Sequence, residues 1–213
     1  MKKLFLLAAA ALLTLGMASC GHNNGYVDLG LPSGLLWAEC NVGADTPEGY
    51  GDHFAWGEVS PKQVYSWKTY AYGRSDGHLT KYCTDGDCGV VDNLTTLKPC
   101  DDAATVILGK GARMPTASEW QELLDNCRSE WTQQNGVYGR RFTGPNGKSL
   151  FLPAAGVRIY SGALGSAGDY WSASLGEDGP YHAWHVNFHY NYHCVNGYER
   201  YYGLSVRAVC PKN

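Results

Sequence analysis

Two stretches near the C-terminus limit the chain to a sheet-containing fold. Trp184, Val186 and Phe188 alternate with His185, Asn187 and His189, the period of two expected of a half-buried strand. Leu204, Val206, Ala208 and Cys210 alternate with Ser205, Arg207 and Val209, which predicts a final strand placed centrally in the sheet. In the first stretch the apolar set belongs to the core, and the other face presents imidazoles and amides to solvent. Beyond His189 the alternation breaks, so a loop and a short return strand are expected up to Tyr202.

The composition of that region is biased as well as patterned. Thirteen of the twenty-two residues from Tyr181 to Tyr202 are Tyr, His or Asn: Tyr181, His182, His185, Asn187, His189, Tyr190, Asn191, Tyr192, His193, Asn196, Tyr198, Tyr201 and Tyr202. These three residues share neither polarity nor volume, but their codons share a central adenine and a third-position pyrimidine. Randomising adenines in a run of Asn codons produces such a mixture. It also reaches Cys, Phe and Val but never Trp or Glu, so Trp184 and Glu199 are expected to be framework.

At 213 residues the chain supports one substantial domain. Charged residues are only 17% while Gly (27), Tyr (15) and Trp (7) are abundant, a composition of turns and aromatic packing rather than of a helical bundle. Lys2 and Lys3 before the apolar run Leu4 to Leu15 read as a secretory signal over residues 1–19. Gly16-Met17-Ala18-Ser19-Cys20 has the small residues before Cys of a lipoprotein cleavage site, which makes Cys20 the expected lipidated N-terminus and residues 20–25 a linker. Ordinary signal-peptidase cleavage, leaving Cys20 a plain thiol, is the alternative. Removing the leader takes two Lys and no acid, moving the formal charge from −3 to −5. No basic patch remains to recruit nucleic acid.

Organisation follows from turn and cap signals. Leu35 to Ala38 reads as a short apolar strand after the Pro32-Ser33-Gly34 turn, and residues 58–100, polar and rich in Tyr and Gly, as a long insertion loop. Asp101 or Asp102 caps a short helix through Leu108, ended by Gly109. Thr116-Ala-Ser-Glu119 is a capping box, and Trp120, Leu123, Leu124 and Cys127 then fall on one helical stripe. Further strands are expected at Arg140 to Thr143, Ser149 to Leu152, Tyr170 to Ser174 and Leu204 to Cys210. With Cys20 lipidated, seven cysteines remain, an odd number. In an exported protein disulfides are the first reading, with Cys40–Cys210 and a pair among Cys83, Cys88 and Cys100 favoured over zinc.

Several blocks together resemble one family: Tyr26-Val-Asp-Leu-Gly-Leu-Pro-Ser-Gly-Leu-Leu-Trp37, Asn41-Val-Gly-Ala44, Tyr50-Gly-Asp-His-Phe-Ala-Trp-Gly-Glu58, Arg113-Met-Pro-Thr116, Leu152-Pro-Ala-Ala-Gly156, Tyr170-Trp-Ser-Ala-Ser174 and Gly203-Leu-Ser-Val-Arg-Ala-Val209. This order is similar to the Fibrobacter succinogenes major paralogous domain, across nearly the whole chain after the leader. The resemblance implies an α+β, C-type lectin-like fold of the formylglycine-generating-enzyme-like superfamily, with two short helices and a small, twisted, mostly antiparallel sheet over residues 26–213. Several such proteins resemble the variable proteins of diversity-generating retroelements. It therefore implies that Tyr170 to Ser174 and Gly203 to Val209 are framework and that the stretch between them, 181–202, is a variable, ligand-facing region.

Other chemistries fit the residues less well. His185 and His189 share a strand face but stand roughly 13 Å apart at ~3.3 Å per residue, too far to chelate one ion. The formylglycine-generating relatives use a closely spaced Cys pair shortly before the terminal strand, where only Cys194 is found, and no Ser/His/Asp order or paired carboxylates stand out. Calcium-dependent sugar binding lacks its Glu-Pro-Asn, Gln-Pro-Asp or Trp-Asn-Asp motif, while metal-free carbohydrate binding stays open. The expectation is a non-enzymatic lipoprotein of Bacteroidota type, at the outer membrane and facing the cell surface. It needs no cofactor and binds a protein or glycan ligand through the thirteen positions named above. The competing reading is a non-diversified structural or glycan-binding domain of the cell envelope.

Overall fold

The computed structural model describes residues 25–74, 77–109, 111–164 and 166–212. Residues 1–24, which include the expected leader and Cys20, lie outside the described residues. In chain order the elements are β1 (Tyr26–Asp28), β2 (Leu36–Asn41), β3 (His53–Phe54), α1 (Ala103–Leu108), α2 (Ala117–Asn126), β4 (Arg128–Gln134), β5 (Val137–Thr143), β6 (Ser149–Pro153), β7 (Val157–Ile159), β8 (Gly162–Leu164), β9 (Gly168–Leu175), β10 (His182–Phe188), β11 (His193–Glu199), β12 (Leu204–Ser205) and β13 (Arg207–Cys210). The protein is α+β, with two α-helices among the described residues and mostly antiparallel sheets. None of the described helices is long and apolar enough to cross a membrane.

Both helices start where their caps place them. The Asp102 carboxylate accepts from the Thr105 amide at the head of α1, and Gly109 ends it at φ 93°. Thr116 and Glu119 form the reciprocal capping box of α2, and Arg113 clamps Glu119 through two bonds of 2.7 and 2.6 Å. Trp120 and Leu123 are buried on the inner stripe of α2.

A five-stranded sheet in the order β11-β10-β9-β12-β3 is the centre of the molecule, beside three-stranded sheets β1-β2-β13 and β4-β5-β6. It is packed on both sides. Trp37, Trp120, Phe142, Tyr170, Val186 and Phe188 fill the side under α2. Phe54, Trp56, Tyr82, Met114, Trp171 and Leu204 fill the other, beneath the 58–100 segment. Buried indoles satisfy their N–H groups on backbone carbonyls: Trp171 on Phe54 and Trp56 on Ser172, both at 2.8 Å, and Trp120 on Trp171 at 3.2 Å.

Three sequence expectations need correction. The return strand is not short: β11 pairs with β10 along seven residues, from His182↔Glu199 to Phe188↔His193. The final strand is divided between two sheets, since β12 lies between β9 and β3 while β13 joins β2. Val206, between them, accepts at its carbonyl from the Val42 amide. Third, the favoured disulfides are absent. Cys210 lies opposite Leu36, four residues from Cys40, or roughly 13 Å along the strand against the ~4.4–6.8 Å that a disulfide spans. Cys83 and Cys88 are thiols that bond separately to Asp85, Cys83 to its carbonyl at 3.0 Å and Cys88 to its carboxylate at 3.7 Å.

The described residues of the 58–100 segment form no long strand, and carbonyl capture holds the segment to the domain. Arg200, fully buried, donates to the carbonyls of Lys81, Tyr82 and Pro180 and to the Tyr70 hydroxyl. Inside the segment, Gly89 passes so close to Leu79 that a Cβ would lie 2.1 Å from the Leu79 carbonyl oxygen. Asp101 gathers Tyr72, Tyr82 and Lys81. Burial opposes its ionisation, but the bonds from Lys81, Tyr82 and Tyr72 outweigh it and hold the carboxyl below its ordinary value.

Candidate functional site

Because cross-strand partners share a face, the β10–β11 register sorts the Tyr/His/Asn positions. His182, Trp184, Val186 and Phe188 lie with Glu199, Gly197, Val195 and His193 on the side of α2. Ala183, His185 and Asn187 lie with Tyr198, Asn196 and Cys194 on the opposite side, next to Asp169 and Trp171 of β9. The period-two reading therefore assigns the phase of β10 correctly. It does not assign exposure, because the second side is itself partly roofed.

His185 is the clearest correction. It is only 3% exposed, with the Tyr198 ring stacked on it at 4.7 Å and Trp171 edge-on at 6.1 Å. Its Nδ1 donates to the Asn196 carbonyl at 3.0 Å and its Nε2 lies 3.5 Å from the Asp169 carboxylate. Burial removes it from direct contact with a surface ligand and makes it a support for Tyr198. Tyr201 is corrected for the same reason: it is buried against Trp67 at 5.0 Å and Tyr202 at 4.4 Å. Desolvation and its bond to Tyr202 push that phenol's pKa up.

Three more of the thirteen are diverted. Tyr181 is half-buried, edge-on to Trp67 at 5.5 Å. His182 is half-buried on the α2 side. His193 meets Phe142 and accepts a bond of 3.2 Å from Arg140. Burial first, and then the Arg140 charge, push its imidazole pKa below the ordinary value.

The remaining eight lie on the second side or at the hairpin tip. Tyr190 is 69% and Tyr192 44% exposed, and Asn191 and Asn196 are exposed as well. His189, Asn187, Tyr198 and Tyr202 are half-buried between them. A polar relay fixes part of this surface. Asp169 accepts from the Asn187 amide at 2.6 Å, and the Asn187 carbonyl accepts from the Tyr192 hydroxyl at 2.5 Å. The Tyr192 ring stands perpendicular to His189 at 3.9 Å. From below, Arg140 of β5 straps the tip, donating to the His189 carbonyl at 2.6 Å and the Tyr192 carbonyl at 3.4 Å.

Sequence reasoning missed Asp169 and Arg140 as supports of this surface. Asp169 carries a usable signal, an acid set directly before the aromatic Tyr170-Trp171 pair. Arg140 carries none, since its role depends on β5 lying under the hairpin tip. Among the described residues no group of three or more His, Cys, Asp or Glu is placed to hold a metal ion. What the surface offers is rigid aromatic area with amide and imidazole groups between. Comparison of the chain with protein-family models, curated proteins and solved structures finds no match in any of the three.

Proposed function

We propose that this chain is an exported, lipid-anchored binding protein of C-type lectin-like fold, with its ligand face formed by Asn187, His189, Tyr190, Asn191, Tyr192, Asn196, Tyr198 and Tyr202 and diversified by a retroelement. The observation that carries the reading is the sorting of the biased stretch. The four exposed positions among the thirteen are all Tyr or Asn, and the supports beneath them, Asp169, Trp171 and Arg140, lie outside the stretch. A surface of Tyr with Asn and His gives rigid amphipathic contact area and adaptable hydrogen bonding at low entropic cost.

The convergence of the motif blocks supports the family reading of the fold. The Trp56 indole bonds to Ser172, the Ala173 amide to Pro115 at 2.8 Å, and the Tyr170 hydroxyl to Pro153 at 2.8 Å. Arg113 and Val209 exchange both backbone bonds. The motif blocks thus pack against one another, and the biased stretch lies against them.

A displayed library tests the binding face. Randomising Tyr190, Asn191, Tyr192 and Asn196 is expected to leave stability within about 0.5 kcal/mol for most members and to yield binders to lysozyme as an arbitrary protein target. Randomising His185 and Tyr201 instead is expected to abolish folded display. Equal loss of folding in both libraries, or a folded first library without binders, contradicts the proposal.

A further inference from the structure

On the α2 side of the hairpin, away from the face just described, lies an open cleft of about 730 Å³. That volume falls within the ~300–1,000 Å³ usual for small-molecule sites. Its walls include Thr84, Thr95 and Thr96 of the long segment, Gln121 of α2, Glu177 after β9, and Trp184 of β10.

The chemistry of these walls is specific. Trp184 is half-buried, although its place between Ala183 and Val186 in the strand pattern puts it among core positions. Among the described residues its indole N–H has no hydrogen-bond partner and its ring meets no other aromatic ring. The hydroxyls of Thr84, Thr95 and Thr96 and the carboxylate of Glu177 are likewise unpartnered among the described residues, and all four side chains are exposed. An aromatic plane thus stands beside several unspent donors and acceptors. Glu177 is the one ionisable group in the lining, so the cleft has no cation to hold an anionic ligand. The head of α2 does not supply one either. Two of its first amides are already spent, Ala117 on the Ser174 hydroxyl and Glu119 on Thr116.

We propose that this cleft binds a neutral oligosaccharide, with Trp184 as the stacking platform. A pyranose presents an apolar C–H face that covers an indole and a rim of hydroxyls that can both donate and accept, which is what Thr84, Thr95, Thr96, Gln121 and Glu177 together satisfy. An anionic sugar meets Glu177 unpaired and is disfavoured. Because adenine randomisation of Asn codons cannot produce Trp, this platform stays fixed whatever happens on the opposite side of the hairpin.

The test titrates the full-length protein with maltotriose, cellotriose and chitotriose as neutral probes and trigalacturonate as the anionic control, by calorimetry and saturation-transfer NMR. At least one neutral trisaccharide is expected to bind. Trp184→Ala is expected to weaken it about tenfold, the equivalent of one aromatic contact, and Trp184→Phe to weaken it less. Gln121→Arg, at an exposed helical position that leaves folding intact, is expected to obstruct the cleft and weaken binding similarly. Tyr190→Ala is expected to leave trisaccharide affinity unchanged, which separates this site from the diversified face. Absence of binding by all three neutral probes overturns the proposal, as does affinity that survives both Trp184→Ala and Gln121→Arg. Tighter binding of trigalacturonate than of any neutral probe overturns it as well.

Discussion

Arg200→Met is expected to destabilise the protein by about 3–5 kcal/mol, read as a shifted midpoint in urea unfolding of the full chain. Arg200 is completely buried, and its guanidinium donates to Pro180 at 2.6 Å and to Tyr82 and Lys81 at 3.0 Å. Its charge also lies over the rings of Trp56 at 4.9 Å and Tyr70 at 5.3 Å. Methionine keeps much of the apolar contact but leaves these carbonyls without a donor in a region closed to water. The stability change comes from that desolvation rather than from lost volume. Arg200→Lys is expected to recover only part, because one ammonium cannot match the guanidinium fork. A loss below about 1 kcal/mol in Arg200→Met would mean that water or backbone rearrangement satisfies the carbonyls.

The second large effect is expected for Trp171→Ala, again about 3–5 kcal/mol, the usual cost of truncating a buried Trp. Trp171 is fully buried in the core beneath the long segment, bonds to Phe54 and supports His185 edge-on. Removing it opens a cavity under the stack of His185 and Tyr198. Near-UV circular dichroism from the Tyr198–Tyr202 pair, with ring centroids at 4.7 Å, should weaken with it. Trp171→Phe should lie between wild type and Ala in stability. Wild-type stability in Trp171→Ala would show that the second side of the sheet does not rest on this residue.

The difference between those two sites explains how much of the molecule can be read from its sequence. Local signals worked where the physics is local. The capping box at Thr116 and Glu119 sets the start of α2, and Asp102 that of α1, because each involves residues three apart. The phase of β10 follows from Trp184, Val186 and Phe188. What failed depended on residues far apart in the chain. β11 has no apolar alternation of its own, so its length comes only from pairing with β10. β4, Arg128–Gln134, is polar apart from Trp131 and owes its form to β5 in the same way. His185 looks solvent-facing until Tyr198 and Trp171 cover it. Arg140 looks like any strand residue until the hairpin tip settles on its guanidinium.

The candidate face shows the same division. The stretch from Tyr181 to Tyr202 stands out in the sequence by its codon chemistry. Which eight of its Tyr, His and Asn positions lie on the second side or at the hairpin tip does not follow from that chemistry, because the subset is chosen by register, by the Asp169–Asn187–Tyr192 relay and by the aromatic packing that holds Tyr181 and Tyr201 against Trp67. Trp184, expected in the core, instead lines a cleft on the far side of the same hairpin.

Diversification of the 181–202 face is the central claim, and sequencing the DNA that flanks the gene tests it most directly. The expected result is a nearby second copy of the codons for residues 181–202 that differs from the gene only where the copy has adenine, accompanied by a reverse-transcriptase gene. Its differences should fall on Tyr and His codons such as those of Tyr190 and Tyr192, where the copy has Asn codons, and should spare Trp184 and Glu199. A flanking region with neither the copy nor the reverse transcriptase, or a copy that differs at bases other than adenine, would contradict it.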